Sequence, residues 1–150
     1  MTNEELILKD LTARLPYNVK FPIIDWDDDI QEEVQVDATL YSINKDGYVR
    51  ALESDYEFDI TSIKPYLFPL SNMTDEMLEE LNTNGFFKYR DSITNVSHLE
   101  SNGKVSEEIY TYIDIETISF LMEFFYSHHI DFRGLIEKGL AIDATGLGIY

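Results

Sequence analysis

Residues Glu116–Gly146 read ETISFLMEFFYSHHIDFRGLIEKGLAIDATG, and this stretch sets the expectation for the fold. Ile118, Leu121, Met122 and Phe125 recur at three- and four-residue spacing, with Ile115 and Phe124 widening the stripe and Thr117, Ser119 and Glu123 off it. That period predicts an amphipathic helix with one face in a core. Asp114 is placed to cap it by accepting from the free first-turn amides, and Glu116 puts negative charge where the helix dipole favours it. Phe120 and Tyr126 lie off the stripe, so the helix is apolar over more than half its circumference and is expected to be covered on two sides or used at an interface.

His128 and His129 fall in the last turn, where a cationic side chain meets unpaired carbonyls. The same residues with Asp131 also form a metal-ligand or acid–base reading. Neighbours on a helix point about 100° apart, so two adjacent histidines converge on one ion only where the helix has already ended, and helix termination is preferred. Downstream, Asp131 and Arg133 bracket Phe132 before Gly134, the pattern of a salt-bridged corner, and Lys138-Gly139 reads as a second helix end. Ala144–Gly148 has the glycines of a phosphate loop but neither a lysine nor a following helix, which excludes that reading.

Upstream, Thr2 and Glu5 form a capping box for a helix carrying Ile7, Leu8, Leu11 and Leu15 up to Pro16. Tyr17–Ile24 has strand composition, but Pro22 cannot donate to a ladder, so it is read as an edge strand. Asp25, Asp27 and Asp29 imitate the start of a calcium loop, yet Ile30 stands where the glycine is needed and Val36 where the bidentate glutamate is needed. The stretch is therefore read as a solvated loop with Trp26 tucked inward, the alternative being Trp26 as an exposed anchor for a partner. Val34, Val36, Ala38 and Leu40 alternate with polar residues, Asn44–Gly47 supplies a turn back through Tyr48, and Tyr56, Phe58 and Ile60 alternate again. These runs predict an antiparallel meander.

Pro65 and Pro69 make Tyr66–Leu70 a rigid apolar connector, or else a groove-binding segment. Thr74 caps a short helix that ends at Asn84-Gly85. Residues 82–113 read as an inserted hairpin, with Phe86–Arg90 against Ile109–Ile113 and a long tip that includes His98. The fold class predicted is α+β: a single domain over residues 1–150, its antiparallel β-meander packed against an N-terminal helix and a longer C-terminal one.

Three blocks, DLTARLPYNVK (Asp10–Lys20), KPYLFPLSNMTDEM (Lys64–Met77) and HHIDFRGLIEKGLAIDA (His128–Ala144), closely resemble a family of small uncharacterised proteins from gut anaerobic bacteria and their phages. They cover about a third of the chain and contain no catalytic motif. The resemblance implies a cytoplasmic accessory protein of phage or mobile-element origin and transfers no functional residue.

With 44% hydrophobic residues, ten Tyr and nine Phe, 150 residues suffice for an ordinary core without disulfides or metals, and there is no Cys to supply either thiolate ligands or thiol nucleophiles. The acidic N-terminus and the lack of any apolar run near ~20 residues predict a cytoplasmic protein that does not enter membranes. Twenty-nine acidic against 11 basic residues give a net charge of −18, which repels nucleic acid and anionic lipid and suits a basic protein partner.

No nucleophile elbow, Walker loop or His-Glu-x-x-His is present, so a non-enzymatic protein acting through protein–protein interaction is expected, with no cofactor. Two alternatives stand beside it: an acidic DNA mimic that inhibits a DNA-binding protein, and an enzyme with an unrecognised carboxylate/histidine site. The residues assigned to a partner surface are Trp26, Tyr66, Phe68, His128, His129, Phe132 and Arg133, the partner being an unknown protein or a second copy of the chain.

Overall fold

The structure, a computed structural model, describes residues 1–89, 92–95 and 115–150. The Thr2 hydroxyl accepts from the Glu5 amide while the Glu5 carboxylate accepts from the Thr2 amide, so helix α1 (Asn3–Arg14) starts on the capping box visible in the sequence. Its buried face is Ile7, Asp10, Leu11 and Arg14, one i, i+3, i+4, i+7 stripe that carries an acid and a base among its apolar members. Asn18, in the left-handed region at φ 55°, turns the chain into strand β1 (Lys20–Asp27).

Strand β1 pairs antiparallel with β2 (Glu32–Ile43) along its whole length, from Lys20↔Thr39 to Asp27↔Glu32. Strands β3 (Tyr48–Ala51) and β4 (Glu57–Asp59) complete an antiparallel sheet in the order β1-β2-β3-β4. The Asn44 side chain accepts from the Asp46 and Tyr48 amides and Gly47 takes φ 82°, which is why this hairpin is legible from Asn44–Gly47. Strand β2 bulges between Leu40 and Ser42, and nearby the Glu53 carboxylate accepts from the Thr39 amide and hydroxyl at 2.6 and 2.8 Å.

The outer edge of β1 is blunted. Val19 accepts from the Leu40 amide, so by alternation Lys20, Pro22, Ile24 and Trp26 turn their backbone groups away from β2. The Lys20 amide donates to the Tyr150 hydroxyl, Pro22 has no N–H, and the Trp26 amide donates to the Asp25 carboxylate. Little of that edge is left for another strand to pair with.

After β4, the chain runs through β5 (Tyr66–Pro69), α2 (Asp75–Thr83), β6 (Phe86–Tyr89), β7 (Ser92–Asn95), α3 (Ile115–Ser127), β8 (Ile130–Asp131) and β9 (Ile142–Asp143). The Tyr66–Leu70 connector is corrected by this arrangement: β5 is the central strand of a parallel sheet ordered β8-β5-β9. Prolines hid it, because Pro65 precedes and Pro69 ends a strand too short to show alternation. Within 82–113, β6 pairs antiparallel with β7, from Phe86↔Asn95 to Tyr89↔Ser92. The hairpin tip with His98, the Ile109–Ile113 run and the Asp114 cap lie outside the described residues.

The fold is α+β, as its sequence patterns predict, although α3 with 13 residues hardly exceeds α1 with 12. One apolar cluster, with Leu11, Phe21, Leu40, Leu67 and Leu135 at its centre, lies between α1 and the sheets; a second, with Met73, Leu81, Phe86, Phe124 and Ile130, joins α2 and α3. The Phe86 ring stacks on Phe120 at 5.8 Å, so β6 is part of this second core. Asp10–Lys20, Lys64–Met77 and His128–Ala144, distant in sequence, meet in one place: β5 lies between β8 and β9, and Arg14 reaches the Ile130 carbonyl.

Candidate functional site

Two regions concentrate the chemistry that the fold does not spend on apolar packing. The first is a buried polar junction under α3. Arg14 and Asp10, both 0% exposed, pair through Arg14 Nε to Asp10 Oδ2 at 2.7 Å, and Arg14 also donates to the carbonyls of Ile130 (2.7 Å) and Phe125 (3.5 Å). Arg133 Nε lies 3.3 Å from the other Asp10 oxygen, and its guanidinium donates to the Tyr126 hydroxyl at 2.9 Å. One carboxylate thus sits between two guanidiniums. The Asp131–Arg133 corner expected from sequence is corrected here: Arg133 turns to Asp10, while the Asp131 carboxylate accepts from the amides of Leu135 and Ile136, each at 2.8 Å. Backbone amides compete well for a buried carboxylate because they arrive preordered by the turn. Asp131→Ala is expected to cost about 2 kcal/mol in urea unfolding, since two amides lose their acceptor.

His129 ends α3 in the left-handed region, φ 56°, and is 7% exposed. Its ring stacks on Tyr150 with centroids 3.8 Å apart, and Nδ1 has no hydrogen-bond partner among the described residues. Burial, reinforced by the nearby Arg14 charge, pushes its pKa down to about 4, so the ring is neutral at pH 7. Almost half of Tyr150 is open to solvent, yet its hydroxyl accepts from the Lys20 amide and donates to the Tyr66 carbonyl. Burial raises that phenol to about 12. Tyr66 is raised to about 12 as well, first by burial and then by its hydrogen bond to the Asp37 carboxylate at 2.9 Å. Tyr66 and His129 are therefore interior residues, which corrects their assignment to a partner surface. Phe68, Phe132 and Arg133 are half-buried around the same junction.

His128 points elsewhere, with Nε2 2.7 Å from Glu80 and both side chains open to water. Beside them is a shallow cleft of about 180 Å³ lined by Tyr17, Glu80, Phe120, Glu123, Phe124 and Ser127. Imidazole and carboxylate do meet, but on an open surface. Among the described residues no three His, Asp or Glu side chains converge as a metal-binding group, and no helix is long and apolar enough to cross a membrane.

The second region is the far end of the β1–β2 ribbon. Trp26 is 56% exposed on β1, with Ile24 at 61% and Ile30 in the connecting turn at 56%. The inward-tucked Trp26 expected from sequence is thus corrected. The reason is register: Phe21 and Ile23 take the core face of β1, so a two-residue period sends Ile24 and Trp26 to the opposite one. The turn is held by the Asp27 carboxylate, which accepts from the Asp29 and Ile30 amides, and by the Gln31 amide donating to the Asp27 carbonyl. Six of the nine residues from Asp25 to Glu33 are carboxylates, and the only basic residue between Lys20 and Ile43 is Lys20 itself.

Sequence reasoning missed the ribbon end because alternating aspartates look like a loop; the usable signal was that apolar residues of strand type run on from Phe21 to Trp26, with the apolar phase switching faces between Ile23 and Ile24. Comparison with protein-family models, with curated proteins and with solved structures finds no match to this chain.

Proposed function

We propose that this is a non-enzymatic, cytoplasmic accessory or regulatory protein, of phage or mobile-element origin, that works by binding a protein partner. The observation that carries the reading is the end of the β1–β2 ribbon, where Ile24, Trp26 and Ile30 are each more than half exposed. A tryptophan contributes more to interfaces than to any exposed role in a lone domain, and three large apolar residues exposed within seven positions of one hairpin are a costly arrangement in water. The origin rests on the resemblance of the three blocks alone. The DNA-mimic reading is weaker, because an indole and two isoleucines have no counterpart in a phosphate row and the acids are also carried by α1, α2 and the β3–β4 turn.

Trp26→Ala should leave folding stability within about 0.5 kcal/mol, as expected for an exposed side chain, while abolishing capture of the partner by immobilised protein in native lysate. Equal recovery of the same partner by Trp26→Ala, Ile24→Ser and unsubstituted protein would remove the reading.

A further inference from the structure

The geometry of the ribbon points to the chemistry of the partner, and we infer that its exposed face takes an arginine-bearing segment, with a guanidinium stacked on Trp26 and forked to Glu33. This rests on the function proposed above and adds the class of ligand.

Trp26 and Glu33 are directly opposed across the β1–β2 ladder, as are Ile24 and Gln35. Opposed side chains in an antiparallel pair leave the same face of the sheet with their Cβ atoms about 5 Å apart. An indole face and a carboxylate are thus neighbours on a surface that water can reach. Indole attracts cations through its negative face, and a carboxylate beside it adds a charged acceptor.

A planar guanidinium satisfies both at once. It stacks flat on the ring, is weakly hydrated, and presents two parallel N–H groups to the carboxylate, whereas an ammonium offers only a strongly hydrated point charge. Ile24 and Ile30 would contact the apolar parts of the same segment.

Charge decides against the other occupants. A second copy would bring a net charge of −18 and its own six carboxylates to the same place, and nucleic acid would bring phosphates. Strand addition at β1 is disfavoured by the blunted edge, so the segment lies on the face of the ribbon.

Trp26 is the single tryptophan of the chain, so its emission reports on this face alone. An oligoarginine peptide titrated into the full chain is expected to shift Trp26 emission and to bind about fivefold more tightly than oligolysine of equal length, with both affinities falling as salt rises. With labelled peptide and anisotropy, Trp26→Ala or Glu33→Gln should each weaken oligoarginine binding about fivefold, while Glu76→Gln/Glu79→Gln on the exposed side of α2 should change it less than about twofold.

Unchanged emission, oligolysine binding as well as oligoarginine, or equal weakening by the α2 variant would overturn the inference. Sedimentation showing Trp26-dependent dimers would do the same in favour of a second copy. If lysate capture still depends on Trp26 but is indifferent to competing oligoarginine, the ligand class falls and the binding function stands. If capture ignores Trp26, the function itself falls.

Discussion

Arg14→Met should lose about 3–5 kcal/mol of folding stability and lower the thermal midpoint by about 10 °C or more, read by calorimetry and by urea unfolding. Arg14 is fully buried, and its removal leaves the Asp10 carboxylate without its closest partner and the Ile130 carbonyl with only the longer bond from the Phe132 amide, at 3.2 Å. A buried charge that loses its nearest partner costs far more than the pair contributes, because desolvation has already been suffered and Arg133, at 3.3 Å, offsets only part of it.

The reverse deletion, Asp10→Leu, takes the carboxylate from two guanidiniums, leaving them only neutral acceptors, and is expected to cost as much. Combining Asp10→Leu with Arg14→Met should recover part of the loss and not all of it, since Arg133 still lacks its carboxylate and the Ile130 carbonyl its shorter hydrogen bond. If the double variant loses as much as the two single losses added together, Asp10 and Arg14 do not act as a pair.

Acid should destabilise the protein through His129. Its folded pKa near 4 lies below the ordinary 6.5, so as pH falls the unfolded chain takes up this proton first. Stability contributed by the neutral ring is complete above about pH 6.5, declines through the window from 6.5 to about 4, and changes no further below it. The shift corresponds to about 3 kcal/mol over that window. Arg14, His128 and Lys20 all oppose protonation electrostatically, after burial, which is the largest cause.

Carboxylates held low by hydrogen bonds, such as Asp59 with Thr61, also lose stability in acid, so the comparison must be with a variant. His129→Asn tolerates the left-handed backbone and has no proton to gain, and its stability should fall by about 2–3 kcal/mol less than that of the unsubstituted chain between pH 7 and pH 4.5. Parallel pH profiles for the two proteins would show that His129 is not the cause.

Local signals were the legible ones. Capping by Thr2 and Thr74, the Asn44–Gly47 turn, the β2 alternation and the α3 stripe are each written within a dozen residues, and each reflects a preference the local chain can express alone. Strand β5 was hidden because its partners lie more than sixty residues away and two prolines give it the look of a linker.

The polar junction left a trace that was not used: Asp10 and Arg14 interrupt the apolar stripe of α1 at i, i+4 spacing, where solvent-facing charges would have fallen elsewhere on the helix. The inward reading of Trp26 fails, and its alternative as an exposed residue stands, because exposing the largest apolar side chain contradicts the ordinary burial preference, and such contradictions concentrate where function overrides stability.

The parallel sheet also bears on the order in which the molecule assembles. Phe68 pairs with Ile130 and Tyr66 with Ile142, separations of 62 and 76 positions, whereas the β1–β2 hairpin closes over a turn of four residues. Loop-closure entropy must be met before distant pairings reward it, so the hairpin is expected to form early and the β8-β5-β9 sheet last, on the slow millisecond-to-second scale of non-local topologies. During that interval the arginine-binding face would already be in shape while the aromatic rings of α3 were still unburied, leaving a sticky intermediate whose high negative charge is its main protection from clumping.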